Sequence, residues 1–426
     1  MQIREYLDRI NNISSARNIE DKAYLANKVK RVTVIVTASR GGSSLFKEAL
    51  TRSPELLFTS GEESPFLVLT QNEYPFTDSD YLDPSKIRHK DELVSNILDD
   101  LGLKIEDGDL SMNAFIEQMR KRLLLQLPQE DFDFSKENLE NIFFKIFEDH
   151  RFWAGNYEEL IRKFLIELTA GKNKPWLYYY DTFLNGPDGY FPLEWKVEDT
   201  PFVVPKLKQQ LTVPDLEKHS LVFKTPQNSY RAGMFETLFP NAQIKYLHMT
   251  RGFAQSVNGL MDGWLHDKGF FAKNISINGH TLNIEGYSDI KDYGDKWWKF
   301  DLPPNWKEFK DKPLHEVCAN QWASAHEHVL TLKNNSVYTD RENTNYMQLK
   351  FEDFLNEPQK MMNDVTDFIG IKPISVANLP LVMITNKPRK YRWHKRKEQI
   401  RELAKQPRIK KLMNNLNYSM EESTWI

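Results

Sequence analysis

Apolar positions change their spacing along this chain, and the changes mark its elements. Val32-Thr33-Val34-Ile35-Val36 is a β-branched run that is apolar on both faces, the pattern of a buried parallel strand. Thr37-Ala38-Ser39-Arg40-Gly41-Gly42-Ser43-Ser44 interrupts it as a loop, and Leu45 to Leu50 is the start of the helix it opens. Leu56 to Thr59 has the length and composition of a second strand. Further short runs follow at Leu221-Val222-Phe223, Ile244 to Met249 and Tyr346 to Lys350. Strands separated by helical stretches predict an α/β fold on a parallel sheet.

The tract 75–215 has a different character. It is helical at Leu93 to Leu101 and Asn113 to Leu127, and it carries aromatic clusters at Phe143-Phe144, Phe152-Trp153 and Trp176 to Tyr180. We expect a mostly helical insertion that covers the sheet and caps the acceptor side. The α/β core is then 31–74 plus 216–426, behind a helical N-terminal segment 1–30. Residues 270–312, rich in Asn, Gly, Asp, Pro and Trp, have the composition of a long surface excursion, and 394–414 of a basic terminal helix.

Composition narrows the possible partners. With 426 residues, 40% hydrophobic, the chain can bury a large core. A net charge of −3 is unlike that of a protein coating nucleic acid or anionic lipid, so any anion site must be local. Cys318 is the single cysteine, which excludes an internal disulfide and fits a reducing compartment. No run approaches the roughly 18 apolar residues of a membrane span, and Met1 to Ile10 is polar and charged. A soluble cytoplasmic protein is expected. Aromatic residues make up 12% of the chain, enough to line an apolar or sugar-binding cleft or simply to fill a large core.

A strand, a Gly-Gly-Ser-Ser turn and a helix together form an anion trap. Glycines let backbone N–H groups approach phosphate oxygens, the helix N-terminus adds partial positive charge, and Ser43 and Ser44 add hydroxyl donors. Arg40 supplies a full charge. The loop is not a Walker A sequence, which places Lys directly before the Ser/Thr that binds Mg²⁺. The strands near 221, 244 and 346 run into Lys224, Arg251 and Lys350 rather than a metal carboxylate. Fixed cations suit a singly charged sulfonate better than a triphosphate, so no metal is expected.

Four segments in order resemble the PAPS-dependent sulfotransferase family. Thr37 to Leu45 is similar to its 5′-phosphosulfate loop, and Leu221 to Pro226 to its strand ending in Lys-x-Pro. Phe239 to Arg251 is similar to the strand delivering its 3′-phosphate arginine. Leu349 to Pro358, with Phe368-Ile369-Gly370, is similar to its Tyr-Glu-Asp-Leu and Phe-Leu-Gly segments. The resemblance implies a P-loop-like nucleotide-binding core (the sulfotransferase fold), PAPS as co-substrate and PAP as product. It implies that Arg40 stabilises the leaving oxygen, that Gly42, Ser43 and Ser44 cradle the 5′-phosphate with Gly41 and Leu45 in the same cofactor-binding loop, and that Lys224 holds the sulfonate. The family's cytosolic branch uses a His base in a Lys-x-His segment, where this chain has Pro226. Its carbohydrate and bacterial branches use a Glu after the second strand, so Glu62 is the candidate base and Glu63 the fallback. Arg251 is implied to bind the 3′-phosphate. The family's accompanying serine falls at Gly259, leaving Ser256, Asn258 or a closer backbone to take its place. Arg389 and Arg392 occupy the late basic loop that closes over the same phosphate.

Other groupings carry less chemistry. His326-Glu327-His328 lacks the spacing of a zinc site and suggests ordinary polar residues. Cys318 has no catalytic neighbour in sequence. Asp262-Gly263-Trp264 and Gly269-Phe270-Phe271 line either an acceptor cleft or a packed loop. The expected partners are a small-molecule or carbohydrate acceptor, with a second copy of the chain as an open option, and no nucleic acid. Two rival readings stand beside this one: a P-loop kinase or NTPase, and a non-catalytic interaction protein that keeps a nucleotide-binding fold.

Overall fold

The computed structural model describes residues 2–104, 111–126, 132–149, 157–168, 197, 208–266, 272–335, 345–379 and 390–425. Its centre is a five-stranded parallel sheet. The strands are β1 (Arg31–Thr37), β2 (Leu56–Phe58), β5 (Ser220–Lys224), β6 (Gln243–Thr250) and β9 (Tyr346–Lys350), in spatial order β2-β5-β1-β6-β9. Two short antiparallel ribbons accompany it: β3 (Leu103–Lys104) with β4 (Lys208–Gln209), and β7 (Ala272–Asn274) with β8 (Trp297–Lys299). The expected α/β architecture on a parallel sheet is what forms.

Alternation along β1 explains why both faces are covered. Val32, Val34 and Val36 join one core with Leu221, Phe223 and Tyr246, closed by helix Ile3–Arg17 and the end of helix Leu314–Lys333. Ile35 points the other way, with Val222, Leu247 and Met249, against helices Ser43–Leu50 and Pro358–Ile369. A strand sandwiched this way buries side chains on both faces, its apolar ones contributing about 25 cal/mol per Å² of apolar surface, while Thr33 and Thr37 are buried with them.

Register brings the strand ends to one edge. Ile35 pairs with Lys224, Thr37 with Met249, and Thr250 with Lys350. The chain leaves β1 for β2 on one side and later adds β6 on the other. The C-terminal end of β1 is therefore a switch point, where a crevice opens in sheets of this kind.

Within 75–215, helices run Lys90–Asp100, Met112–Gln126, Lys136–Asp149 and Tyr157–Leu168. The first packs into the β1 core through Leu93, Val94 and Ile97, while the other three share a separate core around Phe115, Met119, Leu139, Phe143 and Phe164. Phe152-Trp153 and Trp176 to Tyr180 lie outside the described residues. Two expectations are corrected. The described part of 270–312 is no surface excursion: Tyr287, Trp298 and Leu302 are fully enclosed, and Trp306 nearly so, in one core with Trp264 and Trp322. Its polar residues sit in turns while its aromatics turn inward. The basic terminal helix is two helices, Lys397–Lys405 and Pro407–Asn415, because Pro407 cannot donate the hydrogen bond that would continue the first. Among the described residues no helix is long and apolar enough to cross a membrane.

Candidate active site

The loop after β1 is built for close approach. Arg40 takes φ 63°, and Gly41 N–H donates to the Ala38 carbonyl at 3.0 Å. A Cβ on Gly41 would lie 2.2 Å from Thr37 Oγ1. One on Gly42, at φ 94°, would lie 2.2 Å from the Phe351 ring. Only glycine satisfies both, and this compression places Ser43 at the first turn of helix Ser43–Leu50. Ser43 is buried, Ser44 is half-buried, and Leu45 packs against the lower core.

Three guanidinium groups converge above this loop. Arg251, one residue past β6, donates to the Arg40 carbonyl at 3.0 Å and stacks over Phe351 at 5.1 Å. Burial, with Arg251 and Arg392 nearby, lowers the Arg40 pKa to about 10. Burial, and then Arg392, also lowers Arg251, with Glu352 opposing. Positive groups close enough to depress one another's proton affinity form a site that an anion would relieve. Glu352 also caps Gly252 N–H at 2.9 Å and accepts from Tyr418 at 2.9 Å, so it steadies the strand end.

Arg392 is held by Asp262 at 2.6 Å, and the same carboxylate accepts from Lys395 and, at 2.7 Å, from Arg396. Arg396 also donates to Asn258 Oδ1. Asn258 and Asp262 thus anchor the basic segment after residue 390 to helix Phe253–Trp264, which also carries Gly259. A Cβ on Gly259 would sit 3.7 Å from Arg40 Cβ, an ordinary contact, so position 259 faces the loop. Ser256 is fully buried, and its hydroxyl donates to the Arg251 carbonyl at 3.4 Å. Arg389 lies outside the described residues, as does Gly269-Phe270-Phe271. Trp264 is core.

The acidic turn after β2 faces the end of β5. Lys224 donates to Glu62 Oε1 at 2.7 Å, both being buried. Lys47, on the helix that the β1 loop opens, donates to the Gly61 carbonyl at 2.8 Å. Ser60 N–H donates to Asp100 at 2.7 Å, which in turn pairs with Arg122. Glu63 is completely enclosed. Burial pushes its carboxyl up, the Arg231 guanidinium and the nearby Asn228 amide pull it partly back, and Glu62 adds to the rise. Neither Glu63 oxygen has a well-formed hydrogen bond among the described residues. The two adjacent glutamates thus differ: one is ion-paired with a strand-end cation, the other is held toward its neutral form.

Several groups near this edge gave no signal in sequence. Asp301 accepts from both Ser39 and Tyr230, and Glu73 pairs with Arg231 at 2.7 Å and with Lys273. Both carboxylates come from tracts with no strand or helix periodicity. His326 also departs from the ordinary polar role expected of it. It is buried, and His248 Nε2 lies 2.8 Å from its Nδ1 with Tyr346 OH 2.6 Å beyond. Cys318 is buried, which pushes its thiol pKa up.

No family model matches the chain, and no curated protein does. Solved structures do align along most of it. A sulfotransferase from Alicyclobacillus acidocaldarius is 12% identical, with TM-score 0.36 over 93% of this chain and 98% of its own. The sulfotransferase domain of the Curacin biosynthetic pathway is 10% identical, with TM-score 0.37 over 92% and 99%. The sulfotransferase domain of the Synechococcus PCC 7002 olefin synthase is 11% identical, with TM-score 0.34 over 92% and 96%.

Proposed function

We propose that the protein is a PAPS-dependent sulfotransferase, which moves a sulfonate onto a hydroxyl or amine of a small-molecule or carbohydrate acceptor. The observation that carries this reading is the convergence of Arg40, Arg251 and Arg392 at the β1 switch point, beside a Gly-Gly-Ser-Ser helix start. Such a site suits a nucleotide with phosphate on both ribose ends. The four sequence segments that resemble the family place their strand-end residues on this same edge.

The chemistry is an in-line displacement. The acceptor oxygen or nitrogen bonds to sulfur as the bond from sulfur to the bridging phosphate oxygen breaks. Arg40 and the loop N–H groups stabilise charge gathering on that leaving oxygen. Glu62 takes the acceptor's proton. Lys224, now bonded to Glu62, would turn toward the sulfonate once the donor is present, leaving the carboxylate free as a base. Glu63 is the weaker choice because its carboxyl is fully enclosed and faces Arg231.

Calorimetry tests the donor site. Adenosine 3′,5′-bisphosphate should bind the wild-type protein, and Arg251→Ala should weaken it by roughly 10-fold to 100-fold, the loss of one or more charge-assisted bonds. Equal affinity in the two proteins would refute the 3′-phosphate assignment.

A further inference from the structure

We infer that Asp301 is a positioning residue for the anion loop, acting through Ser39 to hold Arg40 in its left-handed conformation. The inference rests on the donor-site reading above and adds a residue that lies outside every segment supporting it.

Asp301 follows β8 by two residues and is 1% exposed. One carboxylate oxygen accepts the Ser39 hydroxyl and the other accepts the Tyr230 hydroxyl at 2.7 Å. Its backbone is fixed as well. The Asp301 carbonyl accepts from Gln321 Nε2 at 2.7 Å and from Trp298 Nε1 at 2.8 Å. Leu302 N–H donates to Asp80 Oδ2 at 2.7 Å, and Asp80 N–H donates back to the Leu302 carbonyl at 2.9 Å. The carboxylate is therefore a rigid post.

What it holds are two cation-bearing segments. Ser39 directly precedes Arg40, whose φ of 63° is uncommon for a side chain of that size and needs its surroundings to impose it. Tyr230 ends the turn Pro226–Tyr230 that follows Lys224. A second tie joins the same two segments, since Ser229 Oγ donates to the Thr37 carbonyl at 2.9 Å and accepts from Thr37 N–H at 3.1 Å. Asp301 thus sets both the conformation of the loop and its spacing from the β5 turn. Burial raises its pKa to about 6, while the Ser39 and Tyr230 hydroxyls pull it down, as donors to a carboxylate do.

The experiment measures affinity for adenosine 3′,5′-bisphosphate and Tm in wild type, Ser39→Ala, Tyr230→Phe, Asp301→Asn and the Ser39→Ala/Asp301→Asn double variant. Asp301→Asn and Ser39→Ala should each weaken binding by ~10-fold or more, and the double variant no further than Asp301→Asn alone, since both cut the same tie. A purely structural role would lower Tm and leave the affinity of the folded protein unchanged. That result would overturn the inference while leaving the donor site standing. If Asp301→Asn fails to fold, Ser39→Ala decides, because it removes only one hydroxyl. Absence of binding in the wild type would remove the donor site and this inference together.

Discussion

At the residue scale, the two adjacent glutamates are separated by what each one touches. Glu62 is bonded to Lys224 at the strand end, and Glu63 is sealed beneath it. Replacing Glu62 by Gln should lower turnover by about 10²–10⁴-fold, the usual contribution of a general base, while nucleotide binding survives. Glu63→Gln should leave turnover within a few-fold of wild type, since an amide replaces a carboxyl already held toward neutrality. Steady-state rates with radiolabelled PAPS against a panel of alcohols, sugars and phenols would check both. Full activity in Glu62→Gln would refute its role. The positions of Lys224 and Arg251 at strand ends, and of Arg40 in the loop after β1, were legible in the sequence because each follows an apolar strand run, and a parallel sheet delivers such ends to one edge. Asp301 was not legible. It lies in a tract of Asn, Gly and Pro, and only the packing of Trp298 and Trp306 carries it inside. His326 was misread for a similar reason, because its partner His248 lies 78 residues away.

At the element scale, the decisive piece is the strand-loop-helix unit from β1 to Leu50. Its two glycines are squeezed between Thr37 and Phe351, so crowding within the fold is itself enough to require the loop sequence. Gly42→Ala would meet both a backbone conformation unsuited to a Cβ, at about 1–3 kcal/mol, and an overpacked contact with Phe351, at another ~1–3 kcal/mol. Chemical denaturation should show a loss within that combined range, and the surviving folded protein should bind nucleotide more weakly. An unchanged midpoint would mean that Phe351 can move aside. Short apolar runs marked every strand of the main sheet; they were clearest at β1 and β5, which are covered on both faces, and weakest at the edge strand β9, where Gln348 and Lys350 interrupt the run. The terminal helix was misjudged at Pro407, where basic composition masked a break.

At the scale of the whole molecule, buried titratable groups tie stability to pH. His326 is lowered to about 3 by burial, and His248 is lowered well below its usual value by burial and by His326. Both bind protons more readily when unfolded, so each contributes stability that is lost as pH falls below about 6.5, by up to ~1.4 kcal/mol per pH unit. Asp301 acts in the opposite sense. Its folded value of about 6 lies above that of the unfolded chain, so its contribution is present at low pH and lost as pH rises through the interval from about 4 to 6. Thermal melts should therefore show Tm falling from pH 7.5 to 6 and onward below 6, where proton uptake by Asp301 offsets part of the loss. The upper slope should diminish in His326→Gln. A wild-type Tm that holds constant from pH 7.5 to 6 would contradict the neutral buried pair.

The bond from Lys47 to the Gly61 carbonyl has a kinetic consequence. One short helix carries the loop at its front end and grips the acidic turn from its last turn, so whatever settles the first also settles the second. On the proposed mechanism, an acceptor arriving before the nucleotide would meet Glu62 while its backbone support is still slack. The steady-state pattern should accordingly be ordered, with the donor first on and PAP last off. PAP should then inhibit competitively against PAPS but not against the acceptor, whereas a random pattern would mean that the two ends of the helix move independently.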